Sequence, residues 1–197
     1  RERRKELGLT LQVVADAAGL TAGFISQVER GITAPSLASL VSVSEVLQTP
    51  LSACLQQPRQ VNAATHKSSR AAYSVAGADV SYERLSTTFE SSQLHSVIVH
   101  EPPGFRGEPI SHRGEEMFYI IDGEITVEIE GEVEILRKGD SMHFDSSRIH
   151  STWNHGSRTA SVLWCGTMDI FGDAPAPIHK PTSTNEGTNQ PTGDRNS

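Results

Sequence analysis

The hydrophobic positions of this chain follow one period near its start and a different period later. Across residues 1–57 apolar side chains recur every three or four positions, which is typical of amphipathic helices. Across residues 73–171 apolar and polar positions alternate, and glycine or proline turns interrupt them. The pattern therefore predicts two domains, an α-helical head and an all-β body.

Two segments show neither period. Residues 58–72, PRQVNAATHKSSRAA, are small and polar, and we expect them to link the two domains. Residues 172–197 are rich in Pro, Ser, Thr, Asn and Gly and contain almost no large apolar side chains. Such a segment buries too little apolar surface to offset its ordering entropy, which predicts a disordered tail.

Capping residues divide the head into five short predicted helices. Thr10 and Thr21 stand at N-cap positions, and Gly19 suits the C-terminus of the helix between them. A fourth helix is expected to open at Pro35-Ser36, and a short fifth one is expected to begin at Pro50. The predicted core stripe of the fourth helix is Leu37, Leu40, Val41 and Leu47. The second and third helices are separated by only a few residues, which is helix-turn-helix geometry.

The stretch GLTLQVVADAAGLTAGFISQVERGITAPSLASLVSVSEVLQTPLSACL resembles the phage-repressor-like (XRE) helix-turn-helix family in its spacing of glycine, threonine and apolar residues. The resemblance implies that the third helix enters the major groove of DNA. By position, the residues expected to face DNA are Thr21, Ala22, Gly23, Ser26, Gln27 and Arg30. Gln27 can pair bidentately with adenine, whereas Thr21 and Arg30 are expected at phosphates. A helical domain that contacts protein instead of DNA is the alternative.

Charge and cysteine content narrow the classes of partner. The chain has a net charge of −7, yet its first 60 residues carry six basic and five acidic side chains. DNA contact is therefore expected only through a local patch on the head. Cys54 and Cys165 fall in different predicted domains, so we expect no disulfide and a cytoplasmic location. The helix-turn-helix resemblance implies that the chain is nucleoid-associated there. No apolar run approaches the roughly 20 residues that span a bilayer, so no membrane partner is expected.

The body contains a series of short predicted strands. Their sequences are QLHSVIVHE, EMFYIID, EITVEIEG, EVEILRKG, SMHFDS, HSTWNHG and ASVLWCGT. Gly123 and Gly131 stand at hairpin-like breaks, and Ile125, Val127 and Ile129 share one face of the strand between them. Many short strands at this spacing predict a sandwich or a barrel.

Within GEPISHRGEEMFYIIDG, His112 and Glu116 lie four residues apart, just ahead of an apolar strand. This region resembles the first cupin motif, with matching residues Gly104, His112, Glu116 and Gly123. Ile110 stands where that motif has its first histidine. The segment GDSMHFDSSRIHSTWN resembles the second cupin motif, with matching residues Gly139, His150 and Asn154. Together the two motifs imply a cupin β-barrel, also called a jelly roll or double-stranded β-helix.

The cupin resemblance implies a candidate metal site made of His112, Glu116 and His150. Two imidazoles and one carboxylate suit Fe(II) or another divalent ion such as Zn, Mn or Ni. Alternatively, these side chains hydrogen-bond an organic effector without a metal. The predicted effector pocket consists of His112, Glu116, Phe118, Met142, Phe144, His150 and Trp153, with Trp164 as a further apolar wall. Arginines expected near its mouth, which favour an anionic ligand, are Arg106, Arg113 and Arg148.

A head of this type joined to one cupin resembles a family of bacterial transcription regulators in which the cupin dimerises and senses a metabolite. The resemblance implies a non-enzymatic homodimer, or a higher even oligomer, on a near-palindromic operator in double-stranded DNA. Fosfomycin-pathway epoxidases resemble the same layout and also use a His, Glu, His set. A non-haem Fe(II) oxidase or epoxidase is therefore the alternative function.

Overall fold

The computed structural model describes residues 1–33, 35–49, 62–74 and 79–171. The described part of the head contains four helices: α1 Glu2–Glu6, α2 Leu11–Ala18, α3 Ala22–Glu29 and α4 Leu37–Val46. The predicted fifth helix, which begins at Pro50, lies outside the described residues, as does the predicted tail.

Side-chain caps set the starts of three of these helices. The hydroxyls of Thr10, Thr21 and Ser36 each accept a hydrogen bond from a backbone N–H in the first turn of α2, α3 and α4. Gly19 ends α2 in the left-handed conformation, with φ of 69°, which favours glycine at this position. The predicted starts and the end of α2 are therefore confirmed.

The described body consists of nine strands in two antiparallel sheets. Their bounds are β1 Ala72–Ser74, β2 Ser81–Arg84, β3 His95–Glu101, β4 Glu115–Asp122, β5 Glu124–Ile129, β6 Glu132–Arg137, β7 Ser141–Asp145, β8 His150–Trp153 and β9 Ala160–Gly166. The larger sheet has the order β1-β2-β3-β9-β4-β7, and the smaller has the order β6-β5-β8. The all-β prediction is confirmed. Across the described strands no ladder closes the two sheets into a ring, so the closed barrel stays a prediction.

One hydrophobic core fills the body. Phe118 and Ile120 on β4 and Ile125 and Val127 on β5 are all buried in it. Alternate residues of β4 point to opposite faces, which leaves every second side chain of this strand exposed. The two-residue repeat of an extended strand thus places Phe118 and Ile120 on the buried face of β4.

Helix α4 packs against both domains. Leu37 and Val41 belong to the core cluster of the body, whereas Val43 and Val46 pack against the head core that contains Val14. The apolar stripe predicted for this helix is therefore divided between two cores. A helix with apolar residues on more than one side is expected where it is buried on more than one side.

Candidate functional site

Helices α2 and α3 form the helix-turn-helix that their spacing predicts. The two helices are bent by 113° relative to each other, which lies within the range of this motif. Val14, Ala15 and Ile25 are buried together in the core of the head. Within the described ranges no single helix is long and apolar enough to cross a membrane. Taken together, α2 and α3 reach the length and apolar composition of a membrane span, but they are bent at the break between them.

The predicted DNA-facing residues lie along α3 and at its ends. The exposed ones are Thr21, Gly23, Gln27 and Arg30, and the half-buried ones are Ala22 and Ser26. Thr21 Oγ1 accepts a 3.1 Å hydrogen bond from the Phe24 N–H. Arg30 Nε donates at 3.1 Å to the Ser26 carbonyl one turn earlier. Both side chains are thus held close to the helix, and their contacts with DNA stay predictions.

Replacing Gln27 with alanine is expected to reduce discrimination at one base position by about 1–3 kcal/mol, because a bidentate amide–base pairing is lost. Affinities for the operator and for each of its single-base variants measure this effect. Gln12→Ala is the control, since Gln12 hydrogen-bonds Asp16 on its own helix at 2.6 Å. Uniform weakening on every sequence would show that Gln27 only positions the helix.

In the body, His112, Glu116 and His150 meet in one cluster. One ligand atom from each residue lies within 4.8 Å of the others. Glu116 Oε1 lies 2.9 Å from His112 Nε2, and Glu116 Oε2 lies 3.6 Å from His150 Nε2. Glu116 comes from β4 and His150 from β8, while His112 precedes β4. The fold thus brings together the three residues that the cupin resemblance implied.

Backbone carbonyls orient both imidazoles. His150 Nδ1 lies 2.9 Å from the Arg148 carbonyl, and His112 Nδ1 lies 3.3 Å from the Arg113 carbonyl. An Nδ1–H that donates to such a carbonyl leaves Nε2 of the same ring available to a ligand. Burial lowers the pKa of His112, but the hydrogen bond and charge of Glu116 raise it more, so its pKa lies above the ordinary value. A metal ion would compete with that proton for Nε2.

The cluster fits a divalent ion with three protein ligands, because two imidazole nitrogens and a carboxylate oxygen converge. Ile110, at the position where the resemblance expects a further histidine, is buried beside it. Its N–H and carbonyl each form a 2.9 Å hydrogen bond with the backbone of His150. An apolar side chain therefore lies next to a ligand-bearing strand where a fourth donor is expected.

Replacing Ile110 with histidine is expected to raise the affinity of the chain for Zn²⁺ about tenfold or more, because a further donor joins the cluster. Competition with a chromophoric chelator measures the affinity. Ile110→Val serves as the control because it changes the volume of the side chain and adds no donor. Equal Zn²⁺ affinity of the two variants would contradict this account of the site.

A cavity of about 100 Å³ lies between the sheets and reaches α4. Of the predicted pocket residues, Glu116, Phe118 and His150 line it, and Trp164 lines it as a further wall. The remaining lining is mainly aliphatic and comes from both sheets and from the start of α4. The metal-type cluster and the cavity are therefore adjacent parts of one site.

Four predicted pocket residues do not line this cavity: His112, Met142, Phe144 and Trp153. Phe144 instead packs against the ring of His150, with centroids 5.0 Å apart, and Met142 packs against the core of the body. The ring of Trp153 lies 5.0 Å from the guanidinium of Arg106. Phe144 thus supports His150, whereas the position of Trp153 gives no support to its predicted role.

Sequence reasoning missed two acidic residues that line the cavity, Glu101 and Glu108. Glu101 follows Val97 and Val99 at alternate positions of β3, so the period-two pattern carried a signal for an inward carboxylate. Glu108 lies outside the strands, and no local pattern marks it. Its partners come from α4, which is 72 residues away in sequence.

Comparisons with known proteins cover both domains. A helix-turn-helix family model matches residues 1–53, and a cupin-domain family model matches residues 97–166. The HTH-type transcriptional regulator SutR of Escherichia coli (strain K12) is 23% identical over 159 residues, covering 81% of this chain and 86% of SutR. The HTH-type transcriptional regulator PuuR of the same strain is 24% identical over 172 residues, covering 86% of this chain and 93% of PuuR.

A solved structure matches the fold of both domains together. The crystal structure of an HTH_3 family transcriptional regulator from Vibrio cholerae superimposes with a TM-score of 0.53 and 18% sequence identity. The match covers 85% of this chain and 91% of that chain. A head of this type followed by a cupin therefore occurs as one architecture in another protein.

Proposed function

We propose that this chain, which belongs to the helix-turn-helix transcriptional regulators that carry a cupin domain, changes its DNA binding when a small molecule enters its cupin cavity. The observation that carries the proposal is the position of α4. This helix belongs to the head, yet Ser36, Leu37 and Ala38 at its start line the cavity. A ligand that fills the cavity therefore contacts the DNA-binding domain directly.

Glu108 provides a polar connection across the same interface. Its Oε2 accepts hydrogen bonds from the Ser36 N–H at 3.2 Å and from Ser39 Oγ at 2.9 Å. Hydrogen bonds to a charged acceptor are stronger than those between neutral groups. A ligand that repositions Glu108 would thus reposition the start of α4, whose other side packs with the core beneath α2 and α3.

An exposed apolar face on the body supports the predicted homodimer. Met117, Tyr119 and Ile121 alternate along β4, share its outer face and are 37–43% exposed. Exposed apolar patches on soluble domains mark sites of association. A two-fold dimer through this face would offer two α3 helices to a near-palindromic operator, and we propose that it acts on nucleoid DNA in the cytoplasm.

Selection of binding sites from a random pool of duplex DNA tests the proposed function with the intact chain. We expect two near-palindromic half-sites about 10 base pairs apart, which is the spacing of a helix-turn-helix dimer. Recovery of a single half-site would contradict the dimer. Failure to enrich any sequence would contradict the regulator.

The coupling is tested by a substitution in the body, far along the chain from α3. Glu108→Ala is expected to change operator affinity about fivefold, the effect of roughly 1 kcal/mol of coupling. Glu134→Ala is the control, because Glu134 is an exposed residue of β6 that also loses a carboxylate. If both variants bind the operator as tightly as the unsubstituted chain, α4 does not couple the cavity to DNA.

The geometry of the cluster favours a second candidate function, a non-haem iron oxidase or epoxidase. His112, Glu116 and His150 converge as a two-histidine, one-carboxylate set, which leaves positions on an iron ion open to other ligands. The iron content of the purified protein, measured beside its binding to selected DNA, separates the two functions. Stoichiometric iron with no sequence-selective DNA binding would favour the enzyme and contradict the regulator.

A further inference from the structure

Glu101 is a buried carboxylate that faces the cavity. Its side chain is 5% exposed, and Oε1 accepts a 3.1 Å hydrogen bond from Thr152 Oγ1. In the described part of the chain Oε2 has no hydrogen-bond partner. An unpaired buried carboxylate oxygen is energetically costly, because it has lost its water without gaining a donor. The oxygen is therefore well placed to accept a donor from a molecule in the cavity.

The charged groups around this cavity are mostly of one sign. Glu101, Glu108 and Glu116 all line it, and among the described lining residues there is no lysine or arginine. None of the three arginines expected at its mouth, Arg106, Arg113 and Arg148, lines the cavity. Arg148 Nε donates to Glu130 at 2.9 Å, and Arg106 lies over Trp153. Among the described lining residues, the anionic ligand expected from the sequence therefore finds no lysine or arginine.

The existing bonds of the other two carboxylates leave Glu101 as the open acceptor. Glu116 is engaged with His112 and His150, and Glu108 accepts from Ser36 and Ser39 of α4. Within the described ranges, the one side chain that donates to the Glu101 carboxylate is the neutral hydroxyl of Thr152. Glu101 is thus the cavity carboxylate that is most in need of a positively charged donor.

We propose that the cavity binds a small organic cation whose primary ammonium group donates to Glu101, with Glu108 nearby as a second anion. The proposal names the effector class and so rests on the proposed function. Val97, Val99 and Phe118 line the same space and match a short aliphatic chain attached to the ammonium group. A volume of about 100 Å³ restricts the ligand to a compact molecule.

The titration of Glu101 agrees with this assignment. Burial raises the pKa of Glu101 to about 7, although the hydrogen bond from Thr152 acts in the opposite direction. A cation bound at Oε2 would stabilise the ionised form, which burial disfavours. Ligand binding and ionisation of Glu101 would therefore reinforce each other.

A matched series of four-carbon probes tests the charge of the ligand. n-Butylammonium, 1-butanol and butyrate share a chain length and differ in charge, and NMR titration of the isotope-labelled intact chain at pH 8 gives each dissociation constant. We expect n-butylammonium to bind at cavity-lining residues at least tenfold more tightly than the other two. Glu101→Gln should weaken it at least tenfold, and the control Glu134→Gln should leave it unchanged.

Three results would overturn the assignment. They are butyrate binding as tightly as n-butylammonium, no shift of cavity resonances with n-butylammonium, and unchanged n-butylammonium affinity in Glu101→Gln. Repeating the titrations with selected operator DNA separates this proposal from the proposed function. If butyrate binds the cavity and changes operator affinity, the cationic ligand is contradicted but the proposed regulatory function is not. n-Butylammonium that binds through Glu101 without changing operator affinity would support the cation and contradict the coupling.

Discussion

Replacing Leu37 with alanine is expected to lower the free energy of unfolding by about 2–5 kcal/mol, the usual range for a buried leucine. Leu37 is 8% exposed, belongs to the core cluster of the body, and yet lies on the first turn of α4 in the head. Truncation would leave a void that joins the existing cavity, which Leu37 lines. Urea unfolding, followed by circular dichroism and by fluorescence of the two tryptophans, measures the change.

The same variant reports on how the domains are joined. Since Leu37 connects α4 to the body, its loss should separate the unfolding of the helical head from that of the tryptophan-bearing body. Val13→Ala is the matched control, because Val13 is 48% exposed and should change stability by less than about 0.5 kcal/mol. A similarly small effect at Leu37 would contradict the packing of α4 against the body.

Glu101→Gln is expected to stabilise the protein by up to about 3 kcal/mol at pH 8 and to have little effect near pH 4.5. The pKa of Glu101 is raised by burial from 4.5 to about 7, so the folded state binds this proton more tightly than the unfolded state does. The associated stability is present below pH 4.5 and is lost as the pH rises through 7. Glutamine is neutral throughout, so it does not carry the desolvation cost of a buried carboxylate.

Urea unfolding of both proteins between pH 4.5 and pH 8 measures this difference. Other ionisable side chains line the cavity with Glu101, namely Glu108, Glu116, His150 and Tyr82. Because they are present in both proteins, the difference between the two unfolding curves isolates Glu101. Glu134→Gln is the exposed control and should give a difference that does not vary with pH. If the difference in unfolding free energy between Glu101→Gln and the unsubstituted protein also does not vary with pH, burial does not destabilise the ionised Glu101 carboxylate.

The two outcomes together connect stability with function. Ligand binding explains why a protein would contain a buried carboxylate that destabilises its fold at neutral pH. The proposed ammonium ligand would relieve the desolvation of Glu101, and binding would then raise the stability of the protein. Leu37 lies on the wall of the same cavity, so this stabilisation would extend to the start of α4.

The local features of the head were predictable because short-range rules determine them. A threonine that accepts a backbone N–H three residues later needs no distant partner, and Thr10 and Thr21 both do so. The alternation along β4 and β5 likewise follows from the two-residue repeat of an extended chain. The family resemblances added the register between His112, Glu116 and His150, which are otherwise too far apart in sequence to be connected by any local pattern.

The roles of α4, Glu108 and Trp153 required the tertiary structure. The apolar pattern of α4 shows that the helix is buried, but it does not show that Leu37 and Val43 enter different cores. An aromatic residue such as Trp153 suits a pocket wall and a cation contact equally well until its neighbour Arg106 is known. Only the arrangement of distant segments distinguishes these environments.

By itself the sequence determined the helix-turn-helix, the all-β body and the identity of the three clustered ligand candidates. These depend on caps, periodicity and motif spacing, which act within a few residues or are carried by the resemblance. The tertiary structure alone decided that the start of α4 lines the cavity and that Glu101, whose Oε2 has no hydrogen-bond partner among the described residues, lines it too. The burial of a side chain and the net charge of a cavity depend on residues from distant parts of the chain. A local sequence pattern therefore cannot predict them.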